Sequence, residues 1–186
     1  MSVRDNAGWW LLDRHVEGGA GAAPCFHTGA GAVPYAEALD RAAAAGGLLA
    51  AAGVGPGDRV LVALPDGVAA AAVLLGVLRA GAVAVPVSPR LGVRDAARVA
   101  ASAEPAAAVV APGLEELAGA LPPSTSDRRW RAGGRAPGWR DLDTELDRAP
   151  AAAAATMSPQ EPALIQYTSG STGEPRGVLH LSLIHI

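Results

Sequence analysis

Lysine is absent: all 15 basic side chains among the 186 residues are arginine. Beside the excess of alanine and glycine this looks like GC-rich coding, so the arginine bias says little about mechanism. A Walker A loop is excluded, because it needs Gly-x4-Gly-Lys-(Ser/Thr) and Gly177 is followed by Val178. A dinucleotide fingerprint is excluded as well. The pairs at Gly19 and Gly21, Gly29 and Gly31, and Gly53 and Gly55 lack the third glycine at its required place and read as turns. Cysteine occurs once, at Cys25, which rules out an internal disulfide and fits a reducing compartment. In the strand-like run Pro24 to His27 it reads as a small buried hydrophobe rather than a nucleophile. His15 and His27 have no partner at metal-ligand spacing, and no Cys/His cluster exists. A basic excess is missing too. The formal net charge is -3, which gives no support to a nucleic-acid or anionic-membrane partner.

Targeting segments are not evident. Met1 to Asn6 lacks the apolar core of a signal peptide. The longest apolar stretch, 68–87, is interrupted by Arg79 and Gly81 and ended by Pro86, so a helix followed by a buried strand is expected rather than a membrane span. The expectation is a soluble, cytoplasmic protein with no membrane span.

What is present is alternation. With 50% hydrophobic residues the chain has material for one α/β core, burying roughly 70% of the surface that the unfolded chain exposes. Asn6 can cap a helix running to about His15, packed down by Trp9, Trp10 and Leu12. Short strands are expected over 25–28 and 33–35, then an alanine-rich helix over 36–52 ended by turn residues. Residues 59–64 read as a buried parallel strand, 68–80 as a helix, 82–87 as a strand, 93–103 as a helix and 107–111 as a strand. One or two further helical turns are expected over 115–120. Helices between strands of this length predict a doubly wound, largely parallel sheet, because parallel neighbours need crossovers.

Beyond Pro122 the alternation fails. Residues 122–159 are expected to be an irregular surface excursion, in which Trp130 and Trp139 interleave with Arg128, Arg129, Arg131, Arg135 and Arg140. That interleaving can bind single-stranded nucleic acid, but the acidic neighbours Asp141, Asp143, Glu145 and Asp147 favour the excursion, with a small capped helix among them.

The stretch from Tyr167 to Gly177 cannot have been chosen for packing. Between the apolar runs 163–167 and 178–180 lie three glycines, four Ser or Thr hydroxyls, one proline and one arginine. Glycines let backbone N–H groups approach oxygens closely, successive amides make an anion-binding concavity, and hydroxyls and a guanidinium add donors. Polyphosphate is the ligand that such a segment fits.

This segment resembles the phosphate-binding signature of the adenylate-forming superfamily: acyl-CoA synthetases, luciferases and peptide-synthetase adenylation domains. That pattern is Tyr-Thr-Ser-Gly-(Ser/Thr)-Thr-Gly-x-Pro-Lys-Gly, met at every place except Arg176, which stands where the family has lysine. Asn6-Ala7, followed by Leu12-Asp13-Arg14-His15, is similar to the opening of benzoate-CoA-ligase-like enzymes, with Asp13, Arg14 and His15 expected at the surface or an interface. Pro86-Val87-Ser88-Pro89 matches the family's strand end. The resemblance spans about 6–111 and 160–180 and implies the N-terminal part of an acyl-CoA-synthetase-like large domain.

The resemblance further implies ATP, Mg²⁺ and coenzyme A, with a small-molecule carboxylic acid as substrate. In such enzymes a carboxylate attacks the α-phosphorus of ATP and releases pyrophosphate, and a thiol then displaces AMP. Thr168, Ser169, Gly170, Ser171, Thr172, Gly173, Glu174, Pro175, Arg176 and Gly177 would hold the ATP phosphates. The adenine and acyl pockets, the ribose-binding aspartate, the Mg²⁺-binding glutamate and the adenylation lysine would all lie past His180, leaving no catalytic residue here. The 186 residues alone are therefore expected to be inert. Residues 1–180 would be a truncated N-terminal part of the large domain, with the C-terminal domain absent. Residues 181–186, Leu-Ser-Leu-Ile-His-Ile, match one reading frame of a transposon sequencing adaptor and are expected to be a non-native tail. Two other readings stay open: an adenylation domain that loads a carrier-protein thiol, and a non-catalytic nucleotide-binding α/β domain.

Overall fold

The computed structural model describes residues 1–169 and 175–182. A π-helical turn, Trp9–Asp13, runs into α1, Arg14–Glu17. Asn6 begins it as the spacing predicts: its Oδ1 accepts from the Trp9 amide at 3.1 Å. The same side chain does more than cap. Its Nδ2 donates to the carbonyls of Arg79 and Ala155, each at 3.1 Å, and the residue is fully buried.

The antiparallel pair β1, Pro24–Thr28, and β2, Gly31–Pro34, precedes α2, Tyr35–Ala51. Then follow β3, Arg59–Ala63; α3, Val68–Arg79; β4, Val83–Pro86; α4, Val93–Ala103; and β5, Ala107–Val110. After a 3-10 helix over Glu115–Ala120 come β6, Arg129–Arg131; β7, Arg140–Asp141; α5, Leu142–Leu146; β8, Pro162–Ser169; and β9, Pro175–Leu181. The seven-stranded sheet has the order β7-β6-β5-β3-β4-β8-β9, parallel throughout except for the antiparallel β8–β9 pair. This is the expected α/β architecture.

Two cores flank the sheet. On one face, Val60 and Val62 of β3 pack with Val73 and Val77 of α3 and with Leu48 and Leu49 of α2. On the other, Leu61 of β3 and Val85 of β4 pack with Val99 and Ala100 of α4. Strand residues alternate between faces, so a continuous apolar run is what a strand covered on both sides requires. Glycine inside a helix normally costs about 1 kcal/mol, yet α2 and α3 carry Gly46, Gly47 and Gly76. A Cβ at Gly76 would lie 2.6 Å from the Ala45 Cβ and 2.8 Å from the Ala42 carbonyl oxygen, and one at Gly47 would collide with the Pro150 carbonyl. Close approach of backbones explains these glycines.

The region 122–159 departs from the expectation of a surface excursion. It adds β6 and β7 to the parallel sheet beside β5, and Trp130 on β6 is fully buried in the α2–α3 core. Trp139 is buried in the α4 core and donates its Nε1–H to the Glu115 carbonyl at 3.0 Å. The interleaved arginines are engaged locally: Arg131 pairs with Glu115, Arg140 with Glu145, and Arg129 donates to Thr125. The small capped helix is α5. The Asp141 carboxylate accepts from the Asp143 and Thr144 amides and the Thr144 hydroxyl, and the Thr144 bonds hold its carboxyl below the ordinary aspartate value.

Asp13, expected at the surface or an interface, is buried inside the fold. It forms a two-bond ion pair with Arg79 at 2.7 and 2.9 Å, while Arg79 donates a third bond to the Ala152 carbonyl at 2.8 Å. Arg14 lies over the Trp10 ring at 3.4 Å, and His15 stacks on Tyr35 with centroids 4.3 Å apart. Leu181 ends β9, and Ser182 beyond it is buried, its Oγ accepting from the Ala7 amide and donating to the Asp5 carbonyl. No helix among the described residues is long and apolar enough to cross a membrane. Cys25 is half-buried and burial pushes its thiol pKa up, away from a reactive thiolate.

Candidate functional site

Parallel strands bring their C-terminal ends to one edge, and here the ends of β3, β4 and β8 are neighbours there. The crossover helix α3, which follows β3, covers one face, whereas α4, which follows β4, covers the other. Where successive connections leave to opposite faces, the loops part and a crevice opens. A crevice of about 620 Å³ lies at that point, and Leu64, Asp66, Ser88, Arg90, Gln166 and Tyr167 are among the residues lining it. The loop after β3, the loop after β4 and the end of β8 thus converge on one space.

The described residues among those expected to hold phosphate, Thr168, Ser169, Pro175, Arg176 and Gly177, sit on the antiparallel β8–β9 pair beside this edge. In the β8–β9 register Tyr167 faces Gly177, Thr168 faces Arg176 and Ser169 faces Pro175. Both strands run further into the polar stretch than the apolar runs suggest, because the ladder satisfies backbone groups whatever the side chains are. Directly opposed residues share a face. Thr168 and Arg176 lie on the α3 face with Leu164, two residues along β8 from Gln166 of the crevice, whereas Ile165 and Tyr167 pack on the α4 side. Arg176 is exposed. Gly170, Ser171, Thr172, Gly173 and Glu174 lie outside the described residues.

Gly177 has a reason of its own. A Cβ there would come within 2.9 Å of the Ile165 Cγ2 and 3.2 Å of the Tyr167 Cζ, so the glycine makes room for the tyrosine ring. The tyrosine hydroxyl donates to the Ser102 Oγ of α4 at 3.1 Å. Sequence reasoning missed Ser102, which stands 65 residues from Tyr167 and carries no local signal. Asp66, Arg90 and Gln166 were missed too, and the strand-end positions of the first two were the available clue.

Among the described residues no three His, Cys, Asp or Glu side chains gather as ligands for a cation. The Mg²⁺ implied by resemblance therefore finds no dedicated cage of such side chains among the described residues.

The family model for AMP-binding enzymes matches residues 12–182. The L-proline–[L-prolyl-carrier protein] ligase of Pseudomonas fluorescens is 36% identical over 132 residues, covering 70% of this chain and 26% of that protein. The solved structure of an anthranilate CoA ligase with anthranoyl-AMP superposes with a TM-score of 0.83 at 20% identity, covering 98% of this chain and 36% of the other, a likeness of fold. ATP-bound MatB from Rhodopseudomonas palustris superposes with a TM-score of 0.79 at 26% identity, covering 98% and 35%. The chain spans about a quarter of the curated relative's length and about a third of the solved ones.

Proposed function

The chain belongs to the AMP-binding enzyme family, and on that basis we propose that it is the phosphate-holding part of an ATP-dependent carboxylic acid–CoA ligase. The observation that carries this reading is the antiparallel β8–β9 pair: at the C-terminal edge of a parallel sheet it brings Thr168 opposite Arg176 and Ser169 opposite Pro175, and Gln166 and Tyr167 of β8 line the crevice where β3 and β4 part. In the reaction, the acid's carboxylate oxygen bonds to the α-phosphorus of ATP and the α–β phosphoanhydride bond breaks. The electron pair goes to the leaving pyrophosphate, and a thiol then displaces AMP from the acyl-adenylate. Negative charge grows on the leaving group, and fixed donors around it lower the barrier without reorganising.

The Thr168 and Ser169 hydroxyls, the hydroxyls and amides of 170–174 and the Arg176 guanidinium are the donors that this chain would offer. Arginine keeps the cation that the family's lysine supplies and adds a fork suited to phosphate oxygens. The crevice would give the acid or the thiol arm a place next to the phosphates. The chain's 186 residues alone are proposed to be inert, because no lysine is present to serve adenylation and they span about a quarter of the curated relative.

A second reading has a specific observation behind it. The relative at 36% identity is a carrier-protein ligase, so the acceptor thiol could belong to a carrier protein in place of coenzyme A. Assaying thioester formation on each acceptor in turn separates the two.

Titration of the chain with sodium tripolyphosphate tests the hairpin's role. Arg176→Ala is expected to weaken binding about tenfold, the scale of a charge-assisted hydrogen bond, while Arg176→Lys stays within about threefold because the charge is kept. Unchanged affinity in Arg176→Ala would remove Arg176 from the site.

A further inference from the structure

Tyr167 ties the hairpin to the body of the fold at one point and braces its two strands against each other at a second. Its hydroxyl reaches Ser102 on α4 at 3.1 Å. Its ring occupies the space that a side chain at 177 would need, over the backbone of the facing strand. The next two rungs of the ladder are Thr168 with Arg176 and Ser169 with Pro175, so the ring stands at the base of the residues assigned to phosphate. Tyr167 also lines the crevice.

We propose that Tyr167 is a positioning residue for the phosphate-holding hairpin. Pinned to Ser102 and seated on Gly177, it holds the ends of β8 and β9 in the register that aims Thr168 and Arg176 at one polyphosphate. This rests on the reading of residues 168–177 as phosphate-holding. It gives Gly177 the task of admitting the ring, and it brings Ser102 into the function of a site it does not touch. The hydroxyl pair is exposed, where a hydrogen bond exchanges with water and adds little to global stability. Its removal therefore separates positioning from folding.

The test is calorimetric titration of the 186-residue chain with sodium tripolyphosphate, for the unaltered protein, Tyr167→Phe, Ser102→Ala and the double variant. Amide hydrogen exchange over 165–168 and 176–179 is followed in parallel. Each single variant is expected to weaken binding about three- to fivefold, the scale of one hydrogen bond's net contribution. The double variant should lose no more than either single one, since both remove the same bond. Amides of 176–179 should exchange faster while those of β3 and β4 do not, with thermal midpoints within about 2 °C. Single variants that bind as the unaltered chain does, or losses that add in the double variant, overturn the positioning role and leave the phosphate reading standing. An unaltered chain that binds no tripolyphosphate overturns the phosphate reading, and this proposal with it.

Discussion

Replacing Asp13 with alanine is expected to destabilise the fold by about 3–5 kcal/mol, the scale of leaving one member of a buried ion pair alone. The Asp13 and Arg79 side chains are 12% and 5% exposed, so the guanidinium left behind could not be rehydrated without opening the structure. Arg79 would keep its bond to the Ala152 carbonyl, which cannot offset a whole charge. The pair does not stand alone. Asn6 binds the Arg79 carbonyl and the Ala155 carbonyl, and Ser182 binds the backbone at Asp5 and Ala7. One cluster thus joins the N-terminal helical segment, the end of α3, the 152–155 stretch and the exit of β9. Urea unfolding followed by far-UV circular dichroism would give the loss directly. Replacing both partners by apolar residues should cost less than Asp13→Ala alone, because no charge is stranded.

Trp130→Ala is expected to cost about 3–5 kcal/mol as well, the range for deleting a buried aromatic side chain. Its ring is fully buried against the α2–α3 core, and its Nε1–H donates to the Glu145 carboxylate at 2.9 Å. Loss of the ring would open a cavity under β6 and leave Glu145 to Arg140 alone. Unfolding measured by urea titration checks this. A loss under 1 kcal/mol, ordinary for a surface site, would mean that β6 does not belong to the sheet.

These two residues also mark the limit of what could be read from the chain. The buried strands β3, β4 and β5 are continuous apolar runs between turn residues, and their positions follow from that pattern alone. In β6 only Trp130 faces the core, with Arg129 and Arg131 on either side, so three residues present one apolar position and two charges. Pattern reasoning sees a basic, aromatic surface in that segment. The groups that take up those charges, Glu115 for Arg131 and the Thr125 hydroxyl and Pro122 carbonyl for Arg129, lie outside the strand and declare themselves only once folded. Asp13 and Arg79 are 66 residues apart, and nothing local marks a charge as buried.

The site divides in the same way. Composition singled out residues 168–177, and the ladder places Thr168 opposite Arg176, Ser169 opposite Pro175 and Gly177 opposite Tyr167. The crevice beside them, with Asp66, Arg90 and Gln166 on its walls, depends on α3 and α4 taking opposite faces. That is a property of topology, which no short motif carries. The exposed apolar side chains of β9, Val178 and Leu179, lie on the outermost strand of the sheet, a surface prone to pairing with other chains.

The most direct test of the proposed activity is exchange of labelled pyrophosphate into ATP, run with a panel of aromatic, aliphatic and amino acids. Two samples are compared: the full-length protein that carries these residues, and the 186-residue chain by itself. Acid-dependent exchange is expected from the first and none from the second. Nucleotide binding by the full-length protein with no exchange for any acid would contradict the ligase assignment and favour a domain that only holds phosphate. Exchange by the 186-residue chain would contradict the claim that the adenylating machinery lies outside it.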